Sequence, residues 1–314
     1  MGGGNWTDDA YDARQRAVKS SGYSTSFTHD VDVRAGRASA LHDSLNIKGK
    51  IRESRDSAEH PVTTPIAVLF DVTGSMGSVP RTLQTKLPKL LSILLEQKYV
   101  EGPQILTGGI GDATCDTVPI QISQFESDIR IDEDLGKIFL EGGGGGQKFE
   151  SYELAMYFMA RRTVLDSWEK RGKKGYLFII GDEKARDVSS KYVVDHIGGL
   201  AENMKLENLV NELHEMYEVY FIIPNLSSYY DDRDVNDFWK KLFGERVIKL
   251  ENPDLVCEAI ASIIGANEGY HVKDTAKKMS LSSHHTASLS KALSEVKVKT
   301  PSTNKMSVSK LELG

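Results

Sequence analysis

The sequence predicts an α/β domain: a doubly wound, mainly parallel sheet with helices on both faces and one antiparallel strand at an edge. Three observations carry this. Short runs that are apolar throughout, 66–70 (IAVLF), 175–181 (GYLFIIG) and 218–224 (EVYFIIP), read as strands buried on both faces, as in a parallel sheet covered by helices. Segments with helical apolar spacing alternate with these strands through about residue 268. Two further runs, 104–111 (QILTGGIG) and 118–125, are joined by a polar turn and suit an antiparallel hairpin that adds the edge strand.

In chain order, strand 66–70 leaves through 71–77 (DVTGSMG), a small polar turn with glycines for a tight bend, into a helix-like segment at 83–97. The hairpin follows, with Asp112 and Asp116 in its turn, where aspartates favour local hydrogen bonding. Residues 141–151 (EGGGGGQKFES) form a glycine loop whose backbone can pass close to a ligand or to another loop, and helical spacing resumes over 152–162. After strand 175–181 come helices at 188–197 and 205–216, strand 218–224, a helix at 231–243, a short strand 247–250, and a helix at 253–264 with Pro253 in its first turn.

The chain divides by composition into three parts. Residues 1–61 are polar and mixed in charge; 10–19 and 33–45 could each form a helix but no core of their own, so a loosely ordered arm that docks on the main domain or on a partner is expected. Residues 62–268 carry the α/β pattern. Residues 269–314 are rich in Ser, Thr and Lys and are expected as a flexible tail, with 287–296 able to form a short helix on a partner and His284 and His285 read as exposed polar residues.

Composition narrows the function. The 314 residues carry a net charge of −6, and no arginine-rich face interleaved with aromatics argues for nucleic acid. Cys115 and Cys257 are the two cysteines, far apart and without a CxxC partner, which argues against a disulfide frame or a zinc site. No run approaches the roughly 18 apolar residues of a membrane span, and the start, MGGGNWTDDA, lacks the basic and apolar regions of a secretion signal, so a cytoplasmic protein is expected. Gly2 does not complete a myristoylation motif, because Trp6 stands where Ser or Thr is required.

The turn 71–77 is the chemically informative stretch. Asp71, Thr73 and Ser75 place three side-chain oxygens at i, i+2 and i+4 on a loop at the carboxyl end of a strand, where open α/β sheets keep their ligands. One carboxylate and two hydroxyls form a hard-oxygen set that suits Mg2+. This stretch resembles the metal-ion-dependent adhesion site of von Willebrand factor A (vWA) domains, whose first loop reads Asp-x-Ser/Thr-x-Ser. The resemblance covers about 62–268 in order of elements and implies a Rossmann-like fold with an antiparallel edge strand. It also implies a ligand from the glycine loop, usually a threonine, and an aspartate after the 175–181 strand, here Asp182. The chain departs from the pattern at the glycine loop, which offers Gln147 or Glu150 instead.

On this reading the chain is not an enzyme. It is a protein-binding module that holds Mg2+ (or Mn2+ or Ca2+) with Asp71, Thr73, Ser75, Asp182 and Gln147 or Glu150, and a partner's Asp or Glu completes the coordination. Asp71 is expected to be an exposed loop acid, and Met76, Gly145, Gly146 and Glu183 are expected on the rim that meets the partner. The alternative is a Mg2+-dependent phosphatase or phosphotransferase. The Asp-Val-Thr-Gly-Ser run is also similar to the nucleophile loop of haloacid-dehalogenase-type enzymes; Asp71 would then attack phosphorus with Mg2+ bound by Asp71 and Asp182, but no lysine is securely placed for the phosphate, although Lys173 and Lys174 lie near the right strand. Thr73 stands where the soluble members of that family place their general acid, which favours the binding module.

Overall fold

A computed structural model describes residues 7–144 and 146–296. Its main sheet has six strands: β2 (Thr64–Asp71), β3 (Pro103–Ile110), β4 (Ile120–Ile122), β6 (Gly175–Ile180), β7 (Tyr217–Pro224) and β8 (Val247–Leu250). They lie in the order β4-β3-β2-β6-β7-β8. Every neighbouring pair is parallel except β3 and β4, so the antiparallel strand sits at an edge. Two short strands outside this sheet, β1 (Arg52–Ser54) and β5 (Thr163–Leu165), pair in parallel with each other.

The central strands show why the apolar runs are continuous. Ile66, Val68 and Phe70 of β2 face one core, while Ala67 and Leu69 face the other. The same alternation holds for Tyr176, Phe178 and Ile180 against Leu177 and Ile179 in β6. A strand with a core on each side has no position left for a polar residue, which is how the period of two disappears from the sequence. The helices Val79–Lys86, Pro88–Gln97 and Val256–Asn267 cover the first face; Tyr152–Arg161, Leu206–Met216 and Arg233–Phe243 cover the second. The segment expected as one helix over 83–97 is two, because Pro88 has no amide hydrogen to continue the ladder.

Both terminal segments depart from the sequence expectation. The helix expected over 33–45 does not form; a helix spans Thr28–Arg34 and ends where Gly36 takes φ +70°. Phe27 and Leu45 nevertheless enter the first core and Ile47 the second, so this arm is packed on the domain. At the other end, Val272–Lys278 and Ser283–Ala292 are helical, and Leu289 and Leu293, four residues apart on one face, are buried in the first core. Residues 297–314, the remainder of the expected tail, lie outside the described part.

Parallel pairing decides where the site sits. Phe70 pairs with Ile180 and Ile180 with Ile222, so the loops after β2, β6 and β7 leave the same edge of the sheet. From β2 the chain winds outward to β3 and β4 and then returns to the opposite side of β2 as β6. The carboxyl ends of β2 and β6 therefore flank the point where the winding reverses, the crevice in which doubly wound sheets hold ligands.

Candidate metal centre

Asp71 is the last residue of β2 and is fully buried, 0% exposed, not the exposed loop acid expected. Its Oδ1 accepts from the Thr73 amide (2.8 Å) and the Thr73 hydroxyl (2.6 Å), so the turn folds back on its own carboxylate. Its Oδ2 accepts from the Tyr152 hydroxyl at 2.7 Å. Ser75, two residues beyond Thr73, has its hydroxyl 3.2 Å from that of Thr73 and donates to Asp182 Oδ1 at 2.8 Å. The first loop is thus tied to the loop after β6 through the three side chains that the sequence singles out.

Asp182, Glu183 and Asp71 each place a carboxylate oxygen within 4.8 Å of one another, and all three residues are buried. Glu150, from the glycine loop, is not one of this 4.8 Å set but adjoins it. It is 2% exposed, its carboxyl lies against that of Glu183, and its Oε2 has no hydrogen-bond partner among the described residues. Gln147 is exposed, so of the two candidates Glu150 points inward. Backbone pairing makes the choice: Phe149 bridges Lys184, and the Glu150 amide donates to the Lys184 carbonyl at 2.9 Å, which lays Glu150 beside Glu183.

The rim expectations divide. Met76 is corrected: the Gly74–Met76 turn rotates it into the first core, where it is 0% exposed. Glu183 is buried among the carboxylates and is not a rim residue. Gly146 is exposed, and Gly145 falls outside the described residues. Asp112 and Asp116 build their own turn, Asp112 also forming a two-pronged pair with Arg186 at 2.9 and 2.8 Å. Lys173 and Lys174 precede β6 at its amino end and engage Glu268 and the His214 carbonyl, on the opposite edge of the sheet from Asp71; they are not phosphate ligands.

Four acids packed together without a cation repel one another. Burial, and then the Asp182 charge, push the Asp71 carboxyl up to about 7, and burial followed by the Asp71 charge pushes Glu150 far above the carboxylate range. Asp182 and Glu183 are also raised, mainly by burial. The neighbouring cations are engaged elsewhere: Lys148 with Asp232, Lys184 with Asp234, Arg186 with Asp112. Among the described residues no Lys or Arg forms an ion pair with Asp71, Glu150, Asp182 or Glu183. A divalent cation fits this donor set: carboxylate and hydroxyl oxygens only, with one buried carboxylate oxygen unsatisfied.

Three groups around the site have no counterpart in the sequence reading. Tyr152, read there only as the start of a helix, is wholly buried and holds Asp71 from behind. The loop after β7 supplies further bonds, the Tyr229 amide donating to Asp182 Oδ2 at 2.9 Å and the Ser228 amide to the Ser75 carbonyl at 2.8 Å. Its position at the carboxyl end of an apolar strand was the available signal. The arm, finally, secures the glycine loop. Buried Asp30 accepts from the Leu140 amide at 3.2 Å, Arg34 donates to the Leu140 carbonyl, and just beyond, the Gly142 amide donates to the Val72 carbonyl and the Gly143 carbonyl accepts from the Gly74 amide.

Tyr152 fixes an oxygen of Asp71 through one hydrogen bond. Tyr152→Phe is therefore expected to lower divalent-cation affinity by about tenfold, the usual result of removing a group that orients a ligand, with a cost of about 1 kcal/mol in metal-free stability. Calorimetric Mg2+ titration of both proteins checks this.

No family model matches the chain, and no curated protein matches it. Among solved structures, the pilus adhesin SpaC from Lactobacillus rhamnosus GG, in an open conformation, is 10% identical over 73% of this chain and 31% of its own, with a TM-score of 0.43. A von Willebrand factor type A structure from Catenulispora acidiphila is 11% identical over 67% of this chain and 43% of its own, with a TM-score of 0.40. The chain spans less than half the length of either. At these scores the likeness decides nothing, and the strand order stands by itself.

Proposed function

We propose that this chain is a vWA-like, metal-dependent protein-binding module and not an enzyme. One observation carries the reading: Asp71, Asp182 and Glu183 converge within 4.8 Å at the point where the sheet reverses, buried and, among the described residues, without an ion-paired Lys or Arg. Asp71, Thr73, Ser75 and Asp182 would hold Mg2+, with Mn2+ and Ca2+ as alternatives, and Glu150 takes the place of the usual threonine. When bound, the ion would offer an open position to an Asp or Glu of the partner. Thr73 and Tyr152 keep the Asp71 carboxylate oriented, and burial keeps competing water away from it.

The same details weigh against Asp71 as a nucleophile. Both of its oxygens already accept hydrogen bonds, it has no exposure through which to reach a phosphate in line, and among the described residues no Lys or Arg forms an ion pair with it. The discriminating experiment is thermal melting in EDTA and in Mg2+, Mn2+ or Ca2+, with a chromogenic phosphate ester assayed on the same samples. Metal-dependent stabilisation without turnover is the expected outcome; turnover, or melting indifferent to every cation, contradicts it.

A further inference from the structure

Apart from the exposed Gln147, the rim of the site is built mostly of residues with small side chains or none. Gly74, Gly77 and Ser78 on the first loop, Gly142, Gly143, Gly144 and Gly146 on the glycine loop, and Ser228 on the loop after β7 are all exposed. Such a rim lets another backbone approach closely. One large apolar side chain interrupts it: Leu226, 67% exposed. The nearby aromatic rings are covered by cations, Tyr229 by Lys148 at 5.5 Å and Phe149 by Lys184 at 4.6 Å, whereas Leu226 stands in solvent. Leu226 also has φ +74°, a left-handed conformation that favours Gly or Asn and disfavours a branched side chain. Neither backbone preference nor burial accounts for a leucine here. The loop that displays it is bolted to the site: the Tyr229 amide donates to Asp182 Oδ2 at 2.9 Å, and Ser228 donates its amide and hydroxyl to the Ser75 carbonyl.

We propose that Leu226 is the apolar half of a two-part recognition surface, and that the partner is an extended segment carrying an acidic residue flanked by a bulky apolar one. The acid reaches the metal centre across the glycine rim while the apolar side chain packs on Leu226. The occupant follows from charge and shape: a bound dication in a pocket of carboxylates accepts an anion, the flat rim admits an extended backbone, and the exposed leucine rewards an apolar neighbour. A strained exposed residue beside a ligand site is where such a role is found. This inference rests on the metal-centre reading above.

The test uses two synthetic heptapeptides with blocked ends and a central Asp, one with Leu on each side of it and one with Ser on each side, both otherwise Gly and Ser. They are titrated by calorimetry into the Mg2+-loaded full chain, into Leu226→Gly and into Asp71→Asn. Glycine adopts the native φ, so Leu226→Gly keeps the loop shape and its Mg2+ affinity. The wild type is expected to prefer the Leu peptide by on the order of tenfold, and Leu226→Gly to lose that preference while binding the Ser peptide as the wild type does. EDTA or Asp71→Asn is expected to abolish binding of both. Equal affinity of the wild type for the two peptides, a preference that survives in Leu226→Gly, or failure of the Leu peptide to bind overturns the role of Leu226. Peptide binding unaffected by EDTA and by Asp71→Asn overturns instead the metal-centre reading beneath it.

Discussion

Asp71→Asn is expected to erase the rise in melting temperature that Mg2+ gives the wild type, while the metal-free variant at pH 8 melts at or above the wild-type temperature. The first half follows from ligand linkage. A cation at one hundred times its dissociation constant stabilises the folded state by about 2.7 kcal/mol, a shift of roughly 5–10 °C for a domain of this size. The asparagine keeps the shape and can still accept from Thr73 with its amide oxygen, its NH2 then donating to the Tyr152 hydroxyl in place of accepting from it, and it removes the charge that the cation needs. The second half is a matter of sign. Asp71 is raised by burial and by Asp182 from the ordinary carboxylate range to about 7. A carboxyl raised in the folded state favours folding at low pH, and that contribution is lost as pH climbs from its unfolded value through 7. At pH 8 the ionised Asp71 therefore opposes folding unless a cation is present, and asparagine relieves this. Differential scanning fluorimetry with EDTA and with Mg2+ measures both halves; an unchanged Mg2+ response in Asp71→Asn contradicts the assignment.

Gly181→Ala should be among the most damaging single substitutions at the site, although glycine to alanine adds one methyl group. A Cβ at position 181 would lie 2.0 Å from the Tyr152 hydroxyl and 2.6 Å from its ring carbon Cζ. The ring cannot retreat, because it is fully buried with its neighbours Phe221 and Trp239 at 5.6 and 5.4 Å between centroids. Overpacking of this kind costs about 1–3 kcal/mol, or roughly 3–10 °C in melting temperature. Displacing Tyr152 also withdraws its hydrogen bond from Asp71, so the Mg2+ response should shrink together with stability. Adding Tyr152→Phe to Gly181→Ala removes the closest clashing atom and is expected to recover part of the stability but not the metal response, a coupling that a double-mutant cycle reads directly. Full stability in Gly181→Ala would mean that Tyr152 is not held as described.

How much of this was legible in the chain depended on how local the cause was. Asp71, Thr73, Ser75 and Asp182 follow buried strands directly, so an apolar run and the oxygens at its end were enough to place them. Glu150 against Gln147 was not legible: a glycine run has no periodicity, and the inward residue is chosen by pairing of Phe149 with Lys184, 35 positions along the chain. Glu183 and Met76 were misplaced for a related reason, since one turn of 3-10 helix and one bridge decide which way adjacent side chains point. The helix expected over 33–45 was lost to a single glycine at positive φ. In the C-terminal segment, average composition hid Leu289 and Leu293, two residues that suffice to dock a helix on a core already formed.

The buried acids of this site are expected to bind a divalent cation and to give up protons as they do so. Calorimetric titration of Mg2+ into the full chain at pH 7, in two buffers of different ionisation enthalpy, tests it directly. A single saturable site is expected, with a heat that differs between the buffers because protons leave Asp71 and Glu150 as the cation enters, and with an affinity that rises from pH 6 to pH 8. No saturable heat with Mg2+, Mn2+ or Ca2+ in the millimolar range, from protein that melts cooperatively, would contradict it.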